Sequence, residues 1–441
     1  MGLRVGTKVT SGTEEWLIES EIKRGRFGVV FRAERTRPAP CVAAVKVPTE
    51  EMRNDPVWSK KFAREARIVA NSPKHTNVVR VLALWPFRDG ETAVVQEFVP
   101  NAVTLTKYIE DKDVDRVSVL LQALYALRAI HGNEEAGIVH RDIAPGNVLV
   151  DTATGTVKLI DFGLACEAPR VTEVLTETGA YFGTRGCIAP EVARDPRSAD
   201  GRSDLYSLGR LFAGGLQGRD PEHAEPPRLP PLWRNICVPL TEYDPADRPQ
   251  TADDAITLVM QAVAKFGQSF TDLARHVEEV NRRGVEPAGW AGFCSTYFAK
   301  RIENGQLDMS DLDVAAKLRS GVLEDFDFAV ANTLFEAVET GSIGNFYRDG
   351  RASFDGVDPY GTYLLNIYEG LTVANRLRCF RTLVREAVGY HRFALMSQVR
   401  TIYGGERQKP YAARLVEILD EEDPEGVIQG RGVIPRPGRE A

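Results

Sequence analysis

Val139-His140-Arg141-Asp142-Ile143-Ala144-Pro145-Gly146-Asn147, with Ile160-Asp161-Phe162-Gly163 downstream, is the stretch on which the reading of this chain turns. Two short apolar runs, Val148–Val150 and Val157–Ile160, lie between the two motifs and read as strands. One carboxylate near one asparagine carries little meaning, so the weight of the stretch depends on what precedes it.

Upstream, Ala43-Ala44-Val45-Lys46 ends an apolar β-run, and Glu65 follows nineteen residues later within Val57–Ala70, where Phe62, Ala66 and Val69 share a helical face. A lysine at such a place is ordinarily a snorkelling surface residue. An inward lysine paired with a helix glutamate can instead hold an ammonium against the phosphates of a nucleotide. Before it comes Ile22-Lys23-Arg24-Gly25-Arg26-Phe27-Gly28-Val29-Val30, where Gly25 and Gly28 permit a turn to lie close over phosphates. Alone, two glycines between strands mean only a hairpin. Phosphoryl transfer needs a carboxylate at the incoming hydroxyl and oxygen ligands for Mg²⁺. Asp142 suits the first role, and Asn147 and Asp161 suit the second. The specific signal is the ordered set: glycine turn, Lys46, Glu65, H-R-D-x-x-x-x-N and D-F-G.

This set resembles the eukaryotic-type (Hanks-type) Ser/Thr protein kinase family, in particular its bacterial members without a membrane span, over about Thr13 to Phe266. Gly183-Thr184 and Ala189-Pro190-Glu191 resemble the P+1 loop and the A-P-E motif. Asp204 to Gly209 resembles the start of the family's long buried helix, and Arg248 the arginine that pairs with the A-P-E glutamate. The resemblance implies an α+β bilobal fold, with a β-rich N-lobe (13–98) and a helical C-lobe (99–266). It implies ATP and Mg²⁺ (or Mn²⁺) as cofactors, Asp142, Lys46, Glu65, Asn147 and Asp161 as the catalytic set, and Asn147 and Asp161 as metal ligands. Gly25, Gly28, Val30, Ala44, Lys46, Glu97, Val99 and Leu149 would bind the nucleotide, with Gln96 as gatekeeper. Val69, Val81, His140 and Phe162 would form the regulatory spine; plain core packing is the other reading of these positions.

Three departures stand out. The first glycine of the family's G-x-G-x-x-G is Lys23, expected to stiffen the loop without removing a ligand. The lysine that Ser/Thr members carry two residues after the catalytic Asp is Ala144. Tyrosine kinases share that Ala but place an Arg two residues further on, where this chain has Gly146. Finally, the Pro-rich loop Gly218–Pro231 occupies the stretch where a substrate-docking helix is expected. A small-molecule kinase of the same fold and a pseudokinase scaffold are the alternatives. The A-P-E segment argues against the first, and the presence of Lys46, Asp142 and Asp161 against the second. Thr176 and Thr178, eight and six residues before Thr184, resemble the paired activation-loop phosphosites of bacterial members, and Arg141 one arm of the pocket that receives such a phosphate.

The remaining sequence is plainer. Residues 267–422 read as an all-helical domain without a recognisable motif, one that either recruits a protein substrate or buttresses the kinase domain. The Gly/Pro-rich tail 423–441 reads as disordered. Of 441 residues, 43% are hydrophobic and 27% charged, the balance of a globular protein, and a net charge of −7 argues against nucleic-acid binding. No apolar run approaches a membrane span, and the N-terminus lacks a signal peptide. The six cysteines are scattered and fit free thiols in the cytoplasm.

Overall fold

The computed structural model describes residues 3–25, 28–51, 62, 66, 70, 73–86, 92–111, 113–132, 137–161, 166–167, 186–267, 272–306, 311, 314–315, 317–318, 332, 335–336, 364–365, 368, 371–389 and 393–423. The chain divides into two compact units, Met1–Ala262 and Val263–Ala441.

The first unit opens with strands β1 (Lys8–Ser11), β2 (Glu14–Arg24), β3 (Gly28–Arg37), β4 (Cys41–Pro48), β5 (Val81–Pro86) and β6 (Thr92–Glu97). They form one antiparallel sheet in the order β1-β2-β3-β4-β6-β5. Side chains alternate across a strand, and β4 shows the consequence. Ala43, Val45 and Val47 enter a core with Trp16, Ile18, Phe31, Trp85 and Val95, where Trp16 and Trp85 meet edge to face at 5.4 Å. Ala44 and Lys46 take the opposite face, opposite Gln96 and Val94 of β6, and Val94 packs there against Phe62 and Ala66. One face of the sheet is therefore a closed core, and the other carries the lysine.

The helical lobe follows. β7 (Ala102–Thr104) leads into α1 (Leu105–Glu110) and then α2 (Arg116–His131). The side chain of Asp115 caps α2 by accepting from Ser118 N–H at 2.9 Å, and Gly132 ends it at φ +59°. α2 is buried almost all round, as its continuous apolar run requires. β8 (Ile138–Val139) pairs with β11 (Cys166–Glu167), and β9 (Val148–Asp151) with β10 (Thr156–Leu159). α3 (Pro190–Arg194), α4 (Gly201–Gln217), α5 (Pro231–Leu240) and α6 (Ala252–Phe266) complete the C-lobe. A curled sheet lobe followed by a helical lobe is the bilobal kinase arrangement.

Some elements differ from the sequence reading. The sheet begins at Lys8, ahead of the expected start of the β-rich lobe at residue 13, and Ala102–Thr104, in the stretch expected to be helical, is a strand pairing β9. Gly218–Pro231 contains two 3-10 turns, Pro221–His223 and Pro226–Arg228. Its final proline opens α5, a position where proline's missing N–H costs nothing. Leu232, Trp233, Ile236, Cys237 and Leu240 bury one face of that helix.

In the second unit, α7 (Leu273–Arg283), α8 (Trp290–Glu303), α9 (Val373–Gly389), α10 (Phe393–Glu406) and α11 (Ala412–Glu422) are helical. α9 packs on α10 and α11, and Phe380, Leu383, Met396, Val399, Leu415 and Ile418 are buried on these helices. Asp423, which the composition assigns to a disordered tail, is instead the buried residue that closes α11, its N–H donating to Leu419 O at 2.9 Å. The rest of that tail lies outside the described residues.

Candidate active site

The β9–β10 hairpin explains why residues fourteen apart meet. Val148 stands opposite Leu159, so Asn147 and Ile160 follow at the open end, joined by Ile160 N–H donating to Asn147 O at 2.9 Å. Asp161 is the next residue. The hairpin thus delivers Asn147 and Asp161 to one place, and the loop from His140 adds Asp142. Asn147 donates its amide Nδ2–H to Asp142 Oδ2 at 2.7 Å and to Asp142 O at 2.9 Å.

The sheet lobe supplies Lys46, whose Nζ pairs with Asp161 Oδ1. Its ammonium lies over the Phe62 ring, 6.0 Å from the centroid. Burial pushes the Asp161 carboxyl up, but Lys46 outweighs it and, with His140 and Lys23, holds the group below the usual carboxylate range. Asp142 goes the other way. Burial and the nearby Asp161 raise it, against the opposing influence of His140, Asn147 and Lys46. Two neighbouring carboxyls pushed apart in this way suit different roles: one stays an anion, the other is closer to taking a proton.

The loop itself is held from below. Asp204, in the first turn of α4 and 1% exposed, accepts from His140 N–H and Arg141 N–H, each at 2.8 Å, and meets His131 Nε2 at 2.9 Å. His140 donates from Nε2 to Ile160 O at 3.1 Å and accepts from Asp142 N–H at Nδ1, 3.3 Å. Arg141 and Asp161 both have left-handed backbones, φ +65° and +61°, which side-chain-bearing residues adopt only when their surroundings over-determine them. The anchoring by Asp204 is that determination at Arg141. The sequence reading placed Asp204 on the long helix but missed its role as loop anchor, and it missed His131 altogether; the only signal for His131 was its place as the last helical residue before Gly132.

Of the residues expected to bind the nucleotide, Val30 stands opposite Lys46 and Ala44 two residues before it on the same face. Leu149 is half-buried on β9, and Val99 half-buried just beyond β6. Gln96 is buried beside Ala44. The Glu97 carboxylate is turned to Lys158 Nζ at 2.7 Å and Arg80 N–H at 3.0 Å, which leaves the backbone of this segment as what a ligand would meet. Gly28 is tight: a Cβ there would stand 3.0 Å from Val47 O and 3.3 Å from the Lys46 side chain. Gly25 closes the turn by donating to Gly28 O at 2.9 Å. Glu65, Val69, Phe162, Gly183, Thr184, Thr176 and Thr178 lie outside the described residues.

The donor set fits a hard divalent ion. Asn147 commits its amide N–H to Asp142, and its Oδ1 accepts no hydrogen bond from a described residue. Asp161 is anionic. Two oxygen side chains, in a site where no three His, Cys, Asp or Glu among the described residues are grouped to hold a metal by themselves, match an ion that keeps water and phosphate oxygens in its shell. Cys187, beside the catalytic loop, is buried and its thiol is pushed up to about 12 by that burial, so it is no nucleophile.

Residues 16–230 match the family described as protein kinase domain. The chain is similar to a probable serine/threonine-protein kinase PknB of Corynebacterium glutamicum, 29% identical over 63% of this chain and 44% of that protein. It is 33% identical to serine/threonine-protein kinase PknB of Mycobacterium tuberculosis over 47% of this chain and 37% of that one. Serine/threonine-protein kinase pkn3 of Myxococcus xanthus is 29% identical over 57% of this chain and 50% of its own. The chain thus spans half or less of the length of these relatives.

Proposed function

We propose that this chain, which carries a protein kinase domain of the bacterial Ser/Thr type at residues 16–230, transfers the γ-phosphate of ATP to Ser/Thr hydroxyls of proteins. The observation that carries the reading is the meeting of two pairs, Lys46–Asp161 and Asn147–Asp142, at the open end of one hairpin. In the reaction, the Asp142 carboxylate orients the acceptor hydroxyl and takes its proton. The hydroxyl oxygen forms a bond to the γ-phosphorus as the bond to the β-phosphate oxygen breaks, and ADP leaves with that electron pair. Lys46 holds the α- and β-phosphates. Asn147 and Asp161 would hold Mg²⁺, which would neutralise charge on the phosphates. Val30, Ala44 and Leu149 sandwich the adenine, and the backbone of Glu97 to Val99 meets its edge. None of the four polar residues is replaced, which leaves a scaffold-only reading without support.

Thr176 and Thr178 are autophosphorylation sites in this account. Support comes from Arg141, whose Nε is buried with no hydrogen-bond partner among the described residues, as a guanidinium awaiting an anion would be. If the helical second unit recruits the protein substrate rather than buttressing the kinase domain, removing residues 268–441 should lower phosphorylation of the natural target while ATP binding persists.

The test is incubation of the purified chain with ATP, Mg²⁺ and a protein acceptor, followed by phosphoamino-acid analysis. Phosphothreonine and phosphoserine are expected, with Thr176 and Thr178 labelled in peptide maps. Phosphotyrosine alone would contradict the assignment.

A further inference from the structure

The catalytic loop brings no cation to the transferred phosphate. Ala144 is 4% exposed and offers only a methyl group, and Gly146 has no side chain. Lys46 pairs with Asp161 and is assigned above to the α- and β-phosphates. Yet the phosphoryl group in flight carries negative charge over three oxygens, and a positioned cation there is worth a large factor in rate.

A cation does stand at this spot, and it comes from the other lobe. Lys23 is the penultimate residue of β2, paired with Val30 across the glycine turn. Its Nζ lies 2.8 Å from where a Cβ on Gly146 would be. Gly146 is one residue from Asn147 and four from Asp142, so the ammonium rests on the backbone of the catalytic loop between the two. Its charge acts on Asp161 as well. Lys23 has no salt bridge to any described residue, so a surface ion pair does not explain where its tip is held. The side chain is otherwise exposed and its four-carbon stem is free to adjust. The absence of a side chain at Gly146 leaves room for the ammonium where it stands; a larger residue would push it aside.

We infer that Lys23 supplies, from the sheet lobe, the phosphate-binding cation that the catalytic loop lacks, its ammonium over Gly146 meeting the γ-phosphate of ATP. This rests on the phosphotransfer reading above. It also revises the expectation that a lysine in place of the loop's first glycine merely stiffens the turn.

Two measurements test it. The first is steady-state kinetics of Lys23→Met, Lys23→Arg, Ala144→Lys and Lys23→Met/Ala144→Lys. Lys23→Met should lower kcat about 10- to 100-fold, Lys23→Arg less, and a lysine at 144 should restore most of the loss while adding little to the parent. The second is equilibrium binding of ATP and ADP in an Asp142→Asn background. Lys23→Met should weaken ATP severalfold and leave ADP unchanged. A kcat within twofold of the parent, or equal weakening of ATP and ADP, overturns the assignment. If the parent binds nucleotide but transfers no phosphate, the function fails while the ATP-to-ADP comparison still decides the role of Lys23.

Discussion

Arg248 and Glu191 form a bidentate ion pair, Nη1 to Oε1 at 2.7 Å and Nη2 to Oε2 at 2.8 Å, with the Arg248 side chain fully buried. Arg248 also donates from Nε to Glu242 O at 2.7 Å and from Nη2 to Tyr243 O at 3.1 Å, and lies over the Tyr206 ring at 4.8 Å. The pair ties α3, at the end of the segment after the active site, to the turn before α6. Every guanidinium nitrogen has a partner, the condition under which a buried ion pair is tolerated.

Removing one partner strands the other charge. Arg248→Ala should therefore destabilise the first unit by about 3–5 kcal/mol, read as a fall in the urea midpoint. A loss below about 1 kcal/mol, the range of an exposed pair, would show that the pair is not the tie described.

Asp204→Asn should uncouple the loop. The amide cannot accept from His140 N–H, Arg141 N–H and His131 together, so kcat should fall at least about tenfold through misplacement of Asp142. Burial pushes the Asp204 carboxyl up, but His131 and His140 outweigh it and hold the group below the usual range. A carboxyl depressed in the folded state contributes stability that is fully present above its unfolded value, about 3.9, and is lost as pH falls through the folded value. The stability gap between parent and Asp204→Asn should accordingly be widest near neutrality and close on acidification. A pH-independent gap would contradict this.

How much of this could be read without coordinates varies with the range of the interaction. Strands β2 to β6 follow from short β-rich runs and α2 from its long apolar run, because those signals are local. The Arg248–Glu191 pairing was expected through the family resemblance. The Asp204 anchor, the contribution of His131 and the reach of Lys23 to Gly146 were not legible, since each joins residues from separate elements through side-chain direction. α5 was hidden because its first proline reads as a loop end. β7 escaped because three residues are too few for a period.

Asp142 sets a pH dependence. Its carboxyl is raised by burial and by Asp161, and proton acceptance requires it ionised. The acid limb of kcat/KM should then have its midpoint above the ordinary value of about 3.9. A limb at or below that value in a pH–rate profile would remove Asp142 from the role.

Gly186→Ala tests the packing of the segment before α3. Gly186 has φ +79°, and a Cβ would fall 2.1 Å from Glu222 N. Arg210 additionally donates from Nε to Gly186 O at 3.1 Å and from Nη1 to Ala224 O at 3.0 Å, fixing both chains. Neither side can yield, so a loss of at least about 1–3 kcal/mol is expected, seen as a lower melting temperature. An unchanged melting temperature would mean that the segment adjusts.

Transfer of the γ-phosphate from labelled ATP, compared between the parent chain and Asp142→Asn, bears most directly on the whole account. The parent should label itself or an added protein in the presence of Mg²⁺. Asp142→Asn should label at least about a hundredfold more slowly while keeping its melting temperature and its affinity for ATP. Equal labelling by the two proteins, or none by a parent that binds ATP and Mg²⁺, would contradict the claim that this site transfers phosphate.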